Sequence, residues 1–259
     1  MRIYIHTDLE GISGIGEIEL MDRSHPNHRY AIERQAMDIN AAIDGAFAGG
    51  ATFVTVLDSH AGGGNFDEAL IDKRADIDRR TNGKEWGKME DGYDGTFFIG
   101  AHAMAGTLNA FIDHTQSSYE WLNYYVNGRR MGELGQWAMM AGQFDIPMIM
   151  VAGDEAAIAE TREFFNPVEC AVVKRGLNRN RAALVESDKA IRRIYEAAKK
   201  SISLVGKAKP FKPNLPIEII LELARTDYSD KFVEMDGVER IDARTVRKVS
   251  NDYLDNLIL

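Results

Sequence analysis

The sequence predicts an α/β protein, a three-layer sandwich around a largely parallel or mixed central sheet, with a small α+β unit after it. Three observations lead there. Short apolar runs alternate with longer segments whose apolar residues recur every three or four positions, the pattern of strands and helices in turn. Several of the runs end in an acid or a histidine beside glycine. Past residue 205 the alternation gives way to a proline-broken stretch and hairpin signals.

The first strand is expected over residues 3–7 and ends at Asp8. Ile32, Ala36, Ile39, Ile43 and Phe47 then recur at helical spacing, and Gly49-Gly50 stops the helix. A strand over 52–57 ends in Asp58-Ser59-His60, and one over 96–99 ends in Gly100-Ala101-His102. Residues 121–126 followed by Asn127-Gly128 read as a hairpin, because Asn-Gly suits the tight turn that matches strand twist. Its return arm carries Met131-Gly132-Glu133, and a helix over 134–143 follows. Residues 147–151 form a further strand, Asp154 caps a helix over 155–165, and 171–173 form another short strand.

Ser187 can cap a helix whose apolar positions are Ile191, Ile194, Ala198 and Ile202. Pro210, Pro213 and Pro216 exclude a regular element from residues 207–216. Beyond them Ile217, Ile219, Leu221 and Leu223 alternate with Glu218 and Glu222 as a half-buried strand does. A second hairpin is expected within 232–239 around Asp236-Gly237, and a last helix with Val246, Val249, Tyr253 and Leu257 on one face. The expected organisation is a metal-binding catalytic domain over 1–205 and a small unit over 206–259 packed on it.

Across 259 residues, 31 Lys and Arg face 40 Asp and Glu, a formal charge of −9. That balance argues against nucleic acid or an anionic membrane as partner, since both attract a basic face. Cys170 is the only cysteine, so no intrachain disulfide forms; it reads as a buried strand thiol. No segment approaches the roughly 20 apolar residues of a membrane span, and a cytoplasmic location is expected.

The chemistry concentrates at the strand ends. Asp8 and Glu10 are two apart, so in extended backbone they point the same way and share one target. Gly11, Gly14 and Gly16 let the backbone turn closely around it. His60 precedes Gly62-Gly63-Gly64, and Asp58 is placed to accept the other N–H of its imidazole. His102 has small neighbours, and Glu133 stands between Gly132 and Leu134-Gly135. His114, in Ile112-Asp113-His114-Thr115, suits a catalytic acid, base or nucleophile better than the core. Each of these alone has a plainer reading, as a solvated strand end, a turn or a buried structural histidine. His6 reads as structural within the first strand, and His25 and His28 as solvated loop residues.

Parallel α/β sheets gather their sites at the carboxyl ends of strands, so these residues can meet. Three carboxylates in one cleft repel unless cations are present. They carry −3; two divalent ions carry +4, and one hydroxide closes the balance. Carboxylate and imidazole without thiolate suit Zn²⁺ in a hydrolytic site, with Mn²⁺ or Co²⁺ as substitutes.

These segments resemble the zinc D-aminopeptidases of the bacterial dipeptide-operon type, a metallopeptidase family. The resemblance runs through Asp8-Leu9-Glu10-Gly11-Ile12, Asp58-Ser59-His60, Gly100-Ala101-His102, Asp113-His114, Asn127-Gly128, Gly132-Glu133-Leu134-Gly135 and Val151-Ala152-Gly153-Asp154. It covers most of residues 1–175; the tail beyond 205 carries no matching motif. It implies two zinc ions per subunit bound by Asp8, Glu10, His60, His102 and Glu133, with Asp8 bridging and His114 catalytic. It also implies a ring-shaped homo-oligomer that releases N-terminal D-amino acids from short peptides. Leu9 stands where the family more often has methionine, and the stretch 61–66 is unusually rich in glycine.

The expected reaction is hydrolysis of the N-terminal amide of a short peptide, with His114 either attacking or moving a proton. Two other readings remain. One is a different metal-dependent hydrolase on the same scaffold, acting on an N-acyl amide, ester or phosphate. The other is a non-enzymatic assembly protein with structural zinc, which predicts a closed coordination shell.

Overall fold

A computed structural model describes residues 1–255. In chain order its elements are β1 (Arg2–Thr7), α1 (His28–Gly49), β2 (Phe53–Asp58), β3 (Asp76–Asp78), β4 (Gly95–Ala101), β5 (Trp121–Val126), β6 (Arg129–Arg130) and α2 (Glu133–Gln143). There follow β7 (Met148–Asp154), α3 (Glu155–Phe164), β8 (Glu169–Asn178), β9 (Arg181–Leu184), α4 (Ser187–Ser201), β10 (Ile217–Leu223), α5 (Thr226–Asp230), β11 (Val238–Arg240) and β12 (Thr245–Ser250). Short 3₁₀ turns fill several connections.

Seven strands form the central sheet in the order β3-β2-β1-β4-β7-β8-β9. All pairs are parallel except β8 with β9. Because strand side chains alternate between faces, Ile3, Ile5 and Ile99 pack with Ile39 and Ile43 of α1 and Ile194 of α4. Tyr4, Phe98 and Val151 meet Trp137 of α2 and Ile158 of α3 on the other face. These are the three layers that the strand–helix alternation predicts. No helix among the described residues is long and apolar enough to cross a membrane.

A second, antiparallel sheet runs β11-β12-β10-β5-β6. The C-terminal strands therefore share their sheet with residues 121–130, and the buried side chains of β10 pack with Tyr124, Val126 and Met139 of α2. The strict alternation of burial along β10 matches its sequence pattern. Asn127 and Gly128 both take positive φ, +50° and +75°, as the tight hairpin turn requires.

Two tail elements differ from expectation. The residues read as a last helix form β12 instead: Val246 pairs with Leu221 across the ladder and Val249 is exposed. The three-residue spacing of two valines imitates a helix, but the β-branched run completes the edge offered by β10. Leu257 lies outside the described residues. Residues 232–237 form turns, so the hairpin is β11-β12, closed through residues 241–244. Elsewhere Asp154 caps α3 by accepting from the Ala157 N–H at 2.7 Å. At α4 it is Glu186, one residue before Ser187, whose side chain accepts from Asp188 and Lys189 N–H.

Candidate metal centre

The chain lays down β1, β2 and β3 outward in one direction, then places β4 on the other side of β1. Sheets that reverse in this way open a crevice at the carboxyl ends of the two strands. Asp8 and Glu10 follow β1, His60 follows β2 and His102 follows β4, three neighbouring strands. Glu133 opens α2, and His114 comes from the loop between β4 and β5. Glycine permits the convergence. Gly100 has φ of +84°, and a Cβ there would lie 2.1 Å from the Asp8 carbonyl oxygen; one at Gly11 would lie 2.1 Å from that of Ala101.

All six side chains meet. His60 Nδ1 faces Asp8 Oδ1 at 2.9 Å and Glu10 Oε2 at 3.0 Å. His102 Nε2 lies 3.3 Å from Asp8 Oδ2 and 3.4 Å from Glu133 Oε1. His114 Nε2 lies 3.6 Å from Glu133 Oε1 and 3.9 Å from Glu10 Oε1, its ring stacked on His102 at 4.1 Å. Asp8 thus turns one oxygen to each of two imidazoles. Two trios, Asp8-Glu10-His60 and His102-His114-Glu133, each gather ligand atoms within 4.8 Å.

The second ring nitrogens fix what the first can do. His102 Nδ1 faces the Ala103 carbonyl oxygen at 3.1 Å and His114 Nδ1 that of Ile112 at 2.9 Å. A carbonyl only accepts, so each Nδ1 carries the proton and a neutral ring turns its Nε2 lone pair into the site. For His102 that lone pair would face two carboxylates, and this buried nitrogen has no hydrogen-bond partner among the described residues. A cation resolves the conflict. Without one, protons must do so. Burial alone would lower the His60 pKa, but Glu10 and Asp8 outweigh it and push it up to about 11. His102 is likewise raised, against burial, by Glu133 and Asp8. Burial would raise Asp8 and Glu133, yet the imidazoles hold both below the usual carboxylate range.

Groups outside the cluster hold it in place. The buried Lys174 of β8 donates to the carbonyl oxygens of Glu10 at 2.6 Å and Ile15 at 2.7 Å, fixing the turn after β1. Asp154 accepts from the Phe111 N–H at 2.9 Å, and Glu160 from that of Met104 at 2.9 Å, fixing the loop that carries His114. Gln116 N–H donates to Glu133 Oε1 at 2.7 Å. Asp58 departs from expectation. Its carboxylate accepts from the backbone N–H groups of Asn65 and Phe66 and from the Asn65 side chain, so it shapes the glycine-rich loop instead of orienting the far nitrogen of His60.

A cleft of about 300 Å³ opens here, lined by His6, Ser59, Arg80, Glu133, Gln136 and Trp137 among others. His6 is more than a strand residue. Its ring packs on Trp137 at 3.9 Å, its Nε2 meets Ser59 Oγ at 2.8 Å, and burial drives its pKa down to about 3. Arg80, Gln136 and Trp137 carry no local signal of a site; only the packing of the loop after β3 and of α2 brings them to it.

The model of the peptidase M55 family, described as D-aminopeptidase, matches residues 1–258. The chain is 30% identical to a D-aminopeptidase of Bacillus subtilis (strain 168), over 98% of this chain and 93% of the relative. It also resembles the solved structure of the Zn-dependent D-aminopeptidase DppA from Bacillus subtilis, a self-compartmentalizing protease. The TM-score is 0.91 at 29% identity, over 99% of this chain and 94% of that one. The likeness thus extends through the C-terminal sheet, past the last motif legible in the sequence.

Proposed function

The chain belongs to the D-aminopeptidase family of the M55 peptidases, and from that premise we propose that it is a dinuclear zinc aminopeptidase releasing N-terminal D-residues from short peptides. The observation that carries the reading is Asp8, whose Oδ1 lies 2.9 Å from His60 and whose Oδ2 lies 3.3 Å from His102. A carboxylate spread between two imidazoles, with Glu10 beside one and Glu133 beside the other, is a donor set for two cations. The orphaned Nε2 of His102 supports that fit. Asp8, Glu10 and His60 would hold one ion, and His102, Glu133 and the second oxygen of Asp8 the other. Bound zinc supplies Lewis-acid polarisation of the scissile carbonyl and stabilises charge developing on its oxygen.

His114 is the catalytic residue in this reading. It is the imidazole farthest from the carboxylates, and the Ile112 carbonyl oxygen holds its Nδ1 proton. Its Nε2 is therefore the end that attacks or takes a proton. Stacking on His102 fixes the ring plane, so the group is aimed before substrate arrives. Glu10 and Glu133 flank that nitrogen and stabilise positive charge gained there. Self-assembly belongs to the proposal too. Leu108 and Tyr119, each 84% exposed on the His114 loop, are large apolar side chains that a second copy would cover.

The test is elemental analysis of protein purified without chelators, paired with D- and L-aminoacyl anilides and light scattering. About two zinc ions per chain, D-selective cleavage and a multimeric mass are the expected results. Metal-free protein after reloading with zinc would overturn the centre. Full metal content with cleavage only of esters, N-acyl amides or phosphates would assign a different hydrolase.

A further inference from the structure

We propose that Arg80 is a specificity-determining residue that receives the C-terminal carboxylate of a short peptide substrate. The inference rests on the peptidase reading above. Arg80 lines the same cleft as Glu133 and is the only lysine or arginine among the described residues that do so. Its backbone is left-handed, φ +47°, a conformation uncommon outside glycine. The buried Asp78 sustains it, accepting from the Arg80 N–H at 2.8 Å, the Tyr4 hydroxyl at 2.6 Å and the Lys88 N–H at 2.6 Å. The turn is thus pinned to the sheet in a geometry the chain would not adopt unaided.

The guanidinium is half spent. Nη1 donates to Glu85 Oε2 at 3.0 Å, which sets the plane of the group. Nε is buried, out of reach of solvent and of any ligand. With Nη1 on Glu85, Nη2 has no acceptor among the described residues and is the N–H group left to donate a charge-assisted hydrogen bond to an entering carboxylate. Arg80 and Glu133 line one cleft of about 300 Å³, so the carboxyl end of a short substrate stays within it. One residue past the scissile carbonyl, an extended chain advances only about 3.5 Å. Gln116 and Gln136, joined by a 2.9 Å hydrogen bond, supply neutral amide edges along the same wall.

The zinc-loaded protein is assayed on a D-dipeptide with small side chains, on its C-terminal amide and on a D-aminoacyl anilide. The wild type should prefer the free acid over the amide by tenfold or more in kcat/KM, expressed in KM. Arg80→Met should raise KM for the acid by about ten- to 100-fold, the loss of a charge-assisted pair. The amide should suffer less, so the preference collapses toward unity; Arg80→Lys should recover part of it. Equal handling of acid and amide by the wild type, with the anilide cleaved, overturns this inference and leaves the peptidase reading standing. A proportional fall in kcat on both substrates in Arg80→Met overturns it as well, by making Arg80 a prop for its loop. Failure to cleave any of the three removes the peptidase reading, and the inference falls with it.

Discussion

His114 Nε2 and Glu133 Oε1 lie 3.6 Å apart, yet their losses should read differently. In the centre proposed above, Glu133 is a ligand and His114 the reacting group. His114→Ala should keep its zinc and lose at least about a hundredfold in kcat, the scale of a positioned acid–base or nucleophilic group. Glu133→Ala should lose metal first. Elemental analysis beside turnover numbers checks both, and a His114→Ala protein with most of its activity would strip that residue of its role. At this scale the sequence was informative wherever chemistry followed an apolar run. Asp8, His60 and His102 each stand just past a strand, where the topology alone brings them together. Arg80 was silent because its conformation depends on Asp78, and its cleft on α2 lying across the sheet. Asp58 was misread for a related reason. An acid two residues before a histidine can serve the imidazole or the loop that follows, and the open N–H groups of Asn65 and Phe66 claimed it.

Among the elements, α3 and the His114 loop depend on one carboxylate. Asp154 Oδ1 caps the helix at Ala157, while Oδ2 holds the Phe111 N–H. Removing the side chain loses a cap, about 1 kcal/mol, and orphans a buried N–H, about 1–3 kcal/mol. Asp154→Ala should therefore lose about 2–4 kcal/mol by chemical denaturation and should also slow turnover by loosening the loop. Burial raises the pKa of Asp154, so its charge is penalised where it sits. Asp154→Asn, which keeps an acceptor without the charge, should retain at least half of the lost stability. Equal losses in the two variants would show that the carboxylate geometry, not its accepting oxygens, is what matters. Elements built on strong local signals, such as the capped α3, the glycine-stopped α1 and the alternating β10, were legible in the sequence. β12 was not, because valines three apart satisfy a helix and a strand edge alike, and only the unpaired side of β10 decides.

For the whole molecule, the cluster makes stability a function of metal and pH together. Stripped of metal, the three carboxylates are offset to a net −1 while His60 and His102 are protonated, and stand at −3 once both are neutral. A pKa of about 11 for His60, against an ordinary 6.5, adds stability that is fully present below about pH 6.5 and is lost as pH rises through 11; His102 acts in the same direction. Asp8 and Glu133, both depressed, withdraw their contribution only when acid protonates them. The stripped protein should thus lose stability steadily on the alkaline side. The loaded protein should not, because zinc replaces the protons and binds more tightly as they leave. With zinc about a hundredfold above its dissociation constant, binding adds about 2.7 kcal/mol, or roughly 5–10 °C in a chain of this size. The gap in thermal midpoint between loaded and chelator-treated protein should widen between about pH 6 and pH 9. A gap that stays constant or narrows over that range would mean that the imidazoles are not sharing the site with the carboxylates, and that protons and zinc are not alternatives for one set of charges.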